Sequence, residues 1–138
     1  MQKTLCIEND IKELDRINDF LEVVDEEFHL PSAFRMKLNL VLEEAVSNII
    51  FYAYKPGEKG CSINIVVSYD KGWLTLMLTD SGIAFDPTKR ENPDITLSAE
   101  ERPIGGLGIF LIKQIMDEVS YRREKKQNVL IMKKKIKA

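Results

Sequence analysis

An α+β fold, a two-layer sandwich with a mostly antiparallel sheet, is predicted by three features of the sequence. Two stretches in the first half repeat apolar residues every three or four positions. Two later stretches alternate apolar and polar residues about short turns. No regular strand–helix–strand alternation, of the kind that builds a parallel sheet, runs through the chain. With 138 residues, 44% hydrophobic and 30% charged, the composition fits one globular domain over residues 1–138 with its own core.

Thr4 to Ile7 reads as a short first strand, and Asn9 or Asp10 can cap the helix that follows, whose apolar positions are Ile11, Leu14, Ile17, Leu21, Val24 and Phe28. Pro31 interrupts, Ser32 can cap again, and Leu38, Val41, Leu42, Ala45, Val46, Ile49 and Ile50 mark one face of a second helix that Pro56-Gly57 ends. From Cys61 the period falls to two, through Ile63, Ile65 and Val67. Asp70-Lys71-Gly72 supplies a turn before the strand Trp73 to Asp80. Residues 82–105 hold Pro87, Asn92-Pro93 and Pro103 among many charges and read as a long functional loop. Ile109, Phe110, Ile112, Lys113 and Met116 restore helical spacing. Val119 to Arg123 and Val129 to Ile136 then flank a Lys-Gln-Asn turn as a last hairpin. His29, the one histidine, suits a surface or helix-capping role.

A net charge of −2 argues against direct nucleic-acid binding, which needs an excess of lysine and arginine to neutralise phosphates. Lys133, Lys134, Lys135 and Lys137 form a local basic tail, interrupted by Ile136, that reads as a charged edge strand. Cys6 and Cys61 make no C-x-x-C pair, so free thiols in a reducing compartment are expected. The N-terminus lacks the apolar stretch of a signal peptide, and no run approaches the roughly 18 residues of a membrane span. A cytoplasmic protein with no membrane contact is expected.

Three groups of residues carry chemistry. Glu44 and Asn48 lie four apart on the second helix, hence on one side of it, beside Val41 at the margin of the apolar face. Both side chains can reach a pocket there, or they form the solvated flank of a core helix. Alternation places Asp80 at the end of the inward row Leu74, Leu76, Leu78, where a carboxylate needs a hydrogen-bonding partner or a ligand. Gly82 follows, either as an opening through which a flat ring approaches the backbone or as part of an Asp-x-Gly turn. Gly105-Gly106-Leu107-Gly108 opens a helix and exposes backbone N–H groups at the positive end of its dipole. That environment suits phosphates, and a flexible hinge is the other reading.

In this order and spacing the three pieces resemble the N, G1 and G2 boxes of the GHKL (Bergerat-fold) ATPases, over about residues 35–136. The phrases Leu42-Glu43-Glu44-Ala45-Val46-Ser47-Asn48, Asp80-Ser81-Gly82-Ile83-Ala84-Phe85-Asp86-Pro87 and Ile104-Gly105-Gly106-Leu107-Gly108-Ile109-Phe110-Leu111-Ile112 are similar to those of the stand-alone bacterial anti-sigma kinases. The resemblance implies an ATP-binding domain with a lid over about 82–105. It implies that Asp80 accepts from the adenine amino group, that Gly82 and Ala84 border the ring, and that Gly105, Gly106, Leu107 and Gly108 cradle phosphates. Asn48 would hold Mg²⁺, Glu44 would act as general base, and Arg102 would neutralise charge on the transferred phosphoryl group. The implied activity is a Mg-ATP-dependent protein serine kinase acting on an anti-anti-sigma (STAS-domain) protein and sequestering a sigma factor, with a homodimer possible. The alternative is a nucleotide-binding module that regulates by partner exchange without transfer. Two departures from the family pattern stand out. Gln127-Asn128-Val129 occupies the place of a Gly-Thr pair, and Pro103 and Ile104 separate Arg102 from the glycines.

Overall fold

Strand β1 (Gln2–Glu8) leads into a 3-10 turn at Ile11–Glu13 and helix α1 (Leu14–Phe28). Asp10 caps the turn, accepting from the Lys12 N–H at 3.0 Å. Ile17, Leu21, Val24 and Phe28 are buried as their spacing predicts, whereas Ile11, in the turn that precedes the helix, is exposed. His29 closes α1 in the left-handed conformation, its N–H donating to the Asp25 carbonyl at 3.0 Å. Helix α2 (Ser32–Asn48) starts on Pro31 without a side-chain cap, so Ser32 is its first residue rather than the cap. Beyond Asn48 the helix widens into a π-turn, Ile49–Ala53. The expected stop at Pro56-Gly57 lies outside the residues that this computed structural model describes, which are 1–54, 62–89 and 106–136.

Strands β2 (Ser62–Asp70) and β3 (Trp73–Asp80) form the expected hairpin. Lys71 and Gly72 both have positive φ, 52° and 83°, as a two-residue turn matched to strand twist requires. After a 3-10 turn at Pro87–Lys89 come helix α3 (Gly106–Ile115) and strands β4 (Glu118–Glu124) and β5 (Gln127–Lys135). The last turn is Lys125-Lys126, with φ of 50° and 65°, not the Lys-Gln-Asn turn expected, and Gln127 and Asn128 belong to β5.

Among the described residues the sheet has five strands in the order β1-β2-β3-β5-β4, every neighbouring pair antiparallel. The predicted α+β sandwich is therefore observed. The basic strand β5 lies between β3 and β4 and is not an edge. Its Lys134 pairs with Asp117 at 3.6 Å, and Lys135 Nζ stands 5.5 Å from the centre of the Trp73 ring. Lys137 is outside the described residues. One face of the sheet presents Ile7, Ile63, Ile65, Val67, Leu74, Leu76, Leu78 and Met132, and these join the buried sides of the helices in a single apolar cluster. At one end of that face, Ile7, Ile63, Asp80, Asn128 and Arg123 share a cross-strand row. The core thus delivers a carboxylate, an amide and a guanidinium side by side across β3, β5 and β4.

Candidate functional site

The alternation that buries Leu74, Leu76 and Leu78 also buries Asp80, 3% exposed, and the helical spacing that buries Leu38, Val41 and Ala45 buries Asn48, 5% exposed. The two meet. Ala45, Asn48 and Ile49 of α2 and the π-turn, Asp80 of β3, Ile109 and Ile112 of α3, and Asn128 of β5 line one cleft between helices and sheet, with Phe85 and Pro87 closing it. The space within is about 10 Å³, room for one water and not for a ring, so a larger ligand needs some of the lining side chains to move. Phe85 stacks on Tyr52 with ring centres 5.3 Å apart.

One oxygen of Asp80 is satisfied within the protein. Its Oδ1 accepts from the Gly82 N–H at 2.9 Å and from Asn128 Nδ2 at 2.9 Å. Burial pushes its carboxyl above the ordinary range, while the bonds from Asn128 and Gly82 and the charge of Arg123 pull the other way. The turn that follows is fastened to the end of the π-turn. Ser81 N–H donates to the Tyr54 hydroxyl at 3.1 Å and Ile83 N–H to the Ala53 carbonyl at 2.8 Å. Gly82 is glycine for a reason internal to the protein, since a Cβ there would lie 2.3 Å from the Ala53 carbonyl oxygen. Ala84 is exposed beside this turn.

Glu44, half-buried one turn before Asn48, faces the first turn of α3. A Cβ on Gly108 would stand 2.5 Å from Glu44 Oε2, so the missing side chain makes room for the carboxylate. Burial, and then the neighbouring charge of Glu43, raise the Glu44 carboxyl above the ordinary range. Glu43 is itself held by Asn39, whose amide donates to it at 3.2 Å. Gly106 opens α3 and Leu107 follows in the same turn. Gly105 and Arg102 lie outside the described residues, as does most of the expected lid beyond Lys89. The structure therefore brings Asn48 and Asp80 to one cleft, joins Gly82 to Asp80, and sets Glu44 against Gly108.

Asn128, Arg123 and Tyr121 were not among the residues expected at the site, yet they organise it. Tyr121 and Asn128 line the cleft, and the Arg123 guanidinium donates to the Gly82 carbonyl at 2.8 Å. Two signals bear on them in the sequence: Gln127-Asn128-Val129 stands where the family pattern has a Gly-Thr pair, and strand alternation about a turn at Lys125-Lys126 puts Arg123 and Asn128 opposite one another. Lysine has no special suitability for positive φ, so that turn is invisible to residue preference.

As to chemistry, a buried carboxylate suits the amino edge of a flat heterocycle. An amide oxygen suits a hard cation shared with phosphates, and a helix start with glycines suits anions. No group of three or more His, Cys, Asp or Glu side chains among the described residues could hold a metal by itself.

The chain is similar to known proteins in both sequence and fold. Residues 7–134 match the histidine kinase-like ATPase domain. The serine/threonine-protein kinase BtrW of Bordetella bronchiseptica is 31% identical over 98 residues, which cover 71% of this chain and 68% of that protein. The serine-protein kinase RsbW of Bacillus thuringiensis is 32% identical over 100 residues, 70% of this chain and 61% of that protein, so the match spans less than two thirds of RsbW. The histidine kinase domain of a blue-light activated histidine kinase from Erythrobacter litoralis EL346 shares the fold, with a TM-score of 0.53 at 15% identity over 91% of this chain and 60% of that one. No described helix is long and apolar enough to cross a membrane. With the family's pattern matched over residues 7–134 and a relative 31% identical over 71% of the chain, the chain belongs to the histidine kinase-like ATPase domain family.

Proposed function

We propose that the chain is a cytoplasmic Mg-ATP-dependent protein serine kinase that phosphorylates an anti-anti-sigma (STAS-domain) partner and, when not doing so, sequesters a sigma factor. The observation that carries this reading is the convergence of Asp80 and Asn48 on one cleft, with Glu44, one turn before Asn48 on α2, set against the start of α3. Serine kinases among the relatives support it.

In this reading Asp80 accepts from the adenine amino group. The ring would enter where Phe85 and Pro87 now close the cleft. Asn48 would hold Mg²⁺ by its side-chain oxygen, and the N–H groups at Gly106 and Gly108 would face the phosphates, with Gly105 and Leu107 assigned to the same role from their places in the sequence. ATP supplies the phosphoryl group. Glu44 takes the proton of the partner's serine hydroxyl as its oxygen bonds to the γ-phosphorus and the bond to ADP breaks. Arg102 is assigned to charge on the transferred group from its place in the sequence.

Two measurements test the reading together. Mg-ATP at 100 times its Kd should stabilise the fold by about 2.7 kcal/mol, and Asp80→Asn should abolish most of that gain, because an amide presents a donor where an acceptor is needed. Radiolabel from γ-labelled ATP should appear on a serine of the STAS partner. Stabilisation without any label would leave a nucleotide-binding module that acts by partner exchange.

A further inference from the structure

The side chain of Asn128 is fully engaged by the protein. It is 4% exposed, on β5 between Asp80 of β3 and Arg123 of β4. A primary amide has two N–H donors and an oxygen with two lone pairs. Here Nδ2 donates to Asp80 Oδ1 at 2.9 Å and to the Ile83 carbonyl at 2.7 Å. Oδ1 accepts from the Phe85 N–H at 3.3 Å, from Arg123 Nη1 at 3.1 Å and from the Tyr121 hydroxyl. Acceptors surround the nitrogen and donors surround the oxygen, which fixes the orientation of the amide. It has no capacity left for a ligand.

What the amide fixes is the presentation of Asp80. The carboxylate's bonds from Gly82 and Asn128 both fall on Oδ1, and rotating the group would break the two at once. Oδ2 takes neither and is the oxygen left for a ligand. Through Ile83 and Phe85, and through the bond from Arg123 to the Gly82 carbonyl, the same cluster ties the turn 82–85 to the last hairpin. We propose that Asn128 is a positioning residue for base recognition: it clamps Oδ1 of Asp80 and the Gly82–Phe85 turn so that Oδ2 alone reads an exocyclic amino group, and it makes no contact with the nucleotide itself. This rests on the nucleotide-binding reading above.

The test is calorimetric titration of the whole chain with Mg-ATP and with Mg-ITP, which has a carbonyl where ATP has its amino group. Wild type should prefer ATP. Asn128→Ala should lose about tenfold or more in affinity for ATP, as expected for a hydrogen bond to a charged group, and little for ITP, so the preference collapses. In an Asp80→Asn background the same substitution should add nothing. The pH profile gives an independent readout. Asp80 must be ionised to accept, and the Asn128 bond opposes the rise that burial imposes on its carboxyl, so removing the bond should shift the acid loss of ATP binding to higher pH. Equal losses for ATP and ITP, additivity with Asp80→Asn, or an unmoved pH profile would each overturn the assignment. If Asn128→Ala does not fold, Arg123→Met at an exposed side chain should lower the ATP-over-ITP preference in the same direction by less, and an unchanged ratio there would overturn it too. Wild-type protein that binds neither nucleotide would instead refute the nucleotide reading, and this assignment with it.

Discussion

Glu44 Oε2 occupies the space where a side chain on Gly108 would begin, 2.5 Å from the position of its Cβ, so α2 and the first turn of α3 meet through a carboxylate and a bare backbone. The obstructing atom is the end of a flexible side chain and can swing away. At Gly82 the obstructing atom is the Ala53 carbonyl oxygen at 2.3 Å, part of a backbone that Ile83 already holds by a hydrogen bond. Two glycines in one site therefore have different reasons to be glycine, and alanine should separate them.

Gly108→Ala should fold with unchanged or slightly raised Tm. Alanine within a helix is favoured over glycine by about 0.5–1 kcal/mol, which offsets the displacement of Glu44. Phosphoryl transfer should fall by about tenfold or more, since a catalytic group moved by about 1 Å costs up to roughly 100-fold. Thermal melts beside a transfer assay read both, and full activity would mean that the position of Glu44 is immaterial.

Gly82→Ala should cost about 1–3 kcal/mol, the usual range for forcing atoms into filled space. Ala53→Gly should not rescue it, because the nearest clash is with the carbonyl oxygen and survives removal of the methyl group. Denaturant melts of the two single variants and the double variant decide this. Recovery in the double variant would place the strain at the Ala53 side chain instead.

The residues that could be read from sequence are those whose periodicity and chemistry coincide. Ile17, Leu21, Val24 and Phe28 announce α1, and Leu74, Leu76 and Leu78 lead the eye to Asp80, because burial obeys the period of the element. Lys71-Gly72 was legible as a turn since glycine takes positive φ freely, whereas Lys125-Lys126 adopts the same conformation without that signature. That second turn sets the register of β4 on β5, and with it the placing of Arg123 and Asn128 beside Asp80. Tyr121, Arg123 and Asn128 were thus hidden behind one turn. The basic run of β5 misled for a related reason: lysines suit an edge, yet Lys134 finds Asp117 and Lys135 finds Trp73 within an interior strand.

Glu43 should help to set the pH at which transfer switches on. Burial and the Glu43 charge both hold the Glu44 carboxyl above its ordinary range, so as pH falls Glu44 takes up its proton early and stops serving as a base. Glu43→Gln removes the second cause and leaves the first. The acid limb of the transfer rate should then move to lower pH without vanishing. A limb that stays in place would mean that another group titrates there.

The last prediction separates Glu44 from Asn48, neighbours one turn apart on α2. Glu44→Gln keeps the shape of the side chain and leaves the Asp80 cleft untouched, so Mg-ATP should still bind and raise Tm. Transfer should fall by about 100-fold or more, the usual worth of a general base. Asn48→Ala acts elsewhere, removing a buried side chain that lines the cleft itself and with it the proposed oxygen for Mg²⁺. Nucleotide affinity and transfer should drop together, and added Mg²⁺ should restore little of either. Neither substitution removes a residue of the apolar cluster, so both proteins should fold, which circular dichroism can establish before any assay. The partner gives the final discrimination: with ATP bound, the Glu44→Gln protein should capture the sigma factor as wild type does while failing to label the STAS protein. Transfer at the wild-type rate by Glu44→Gln would remove the base assignment and leave Asn48 and Asp80 as a nucleotide site whose chemistry is performed by another group.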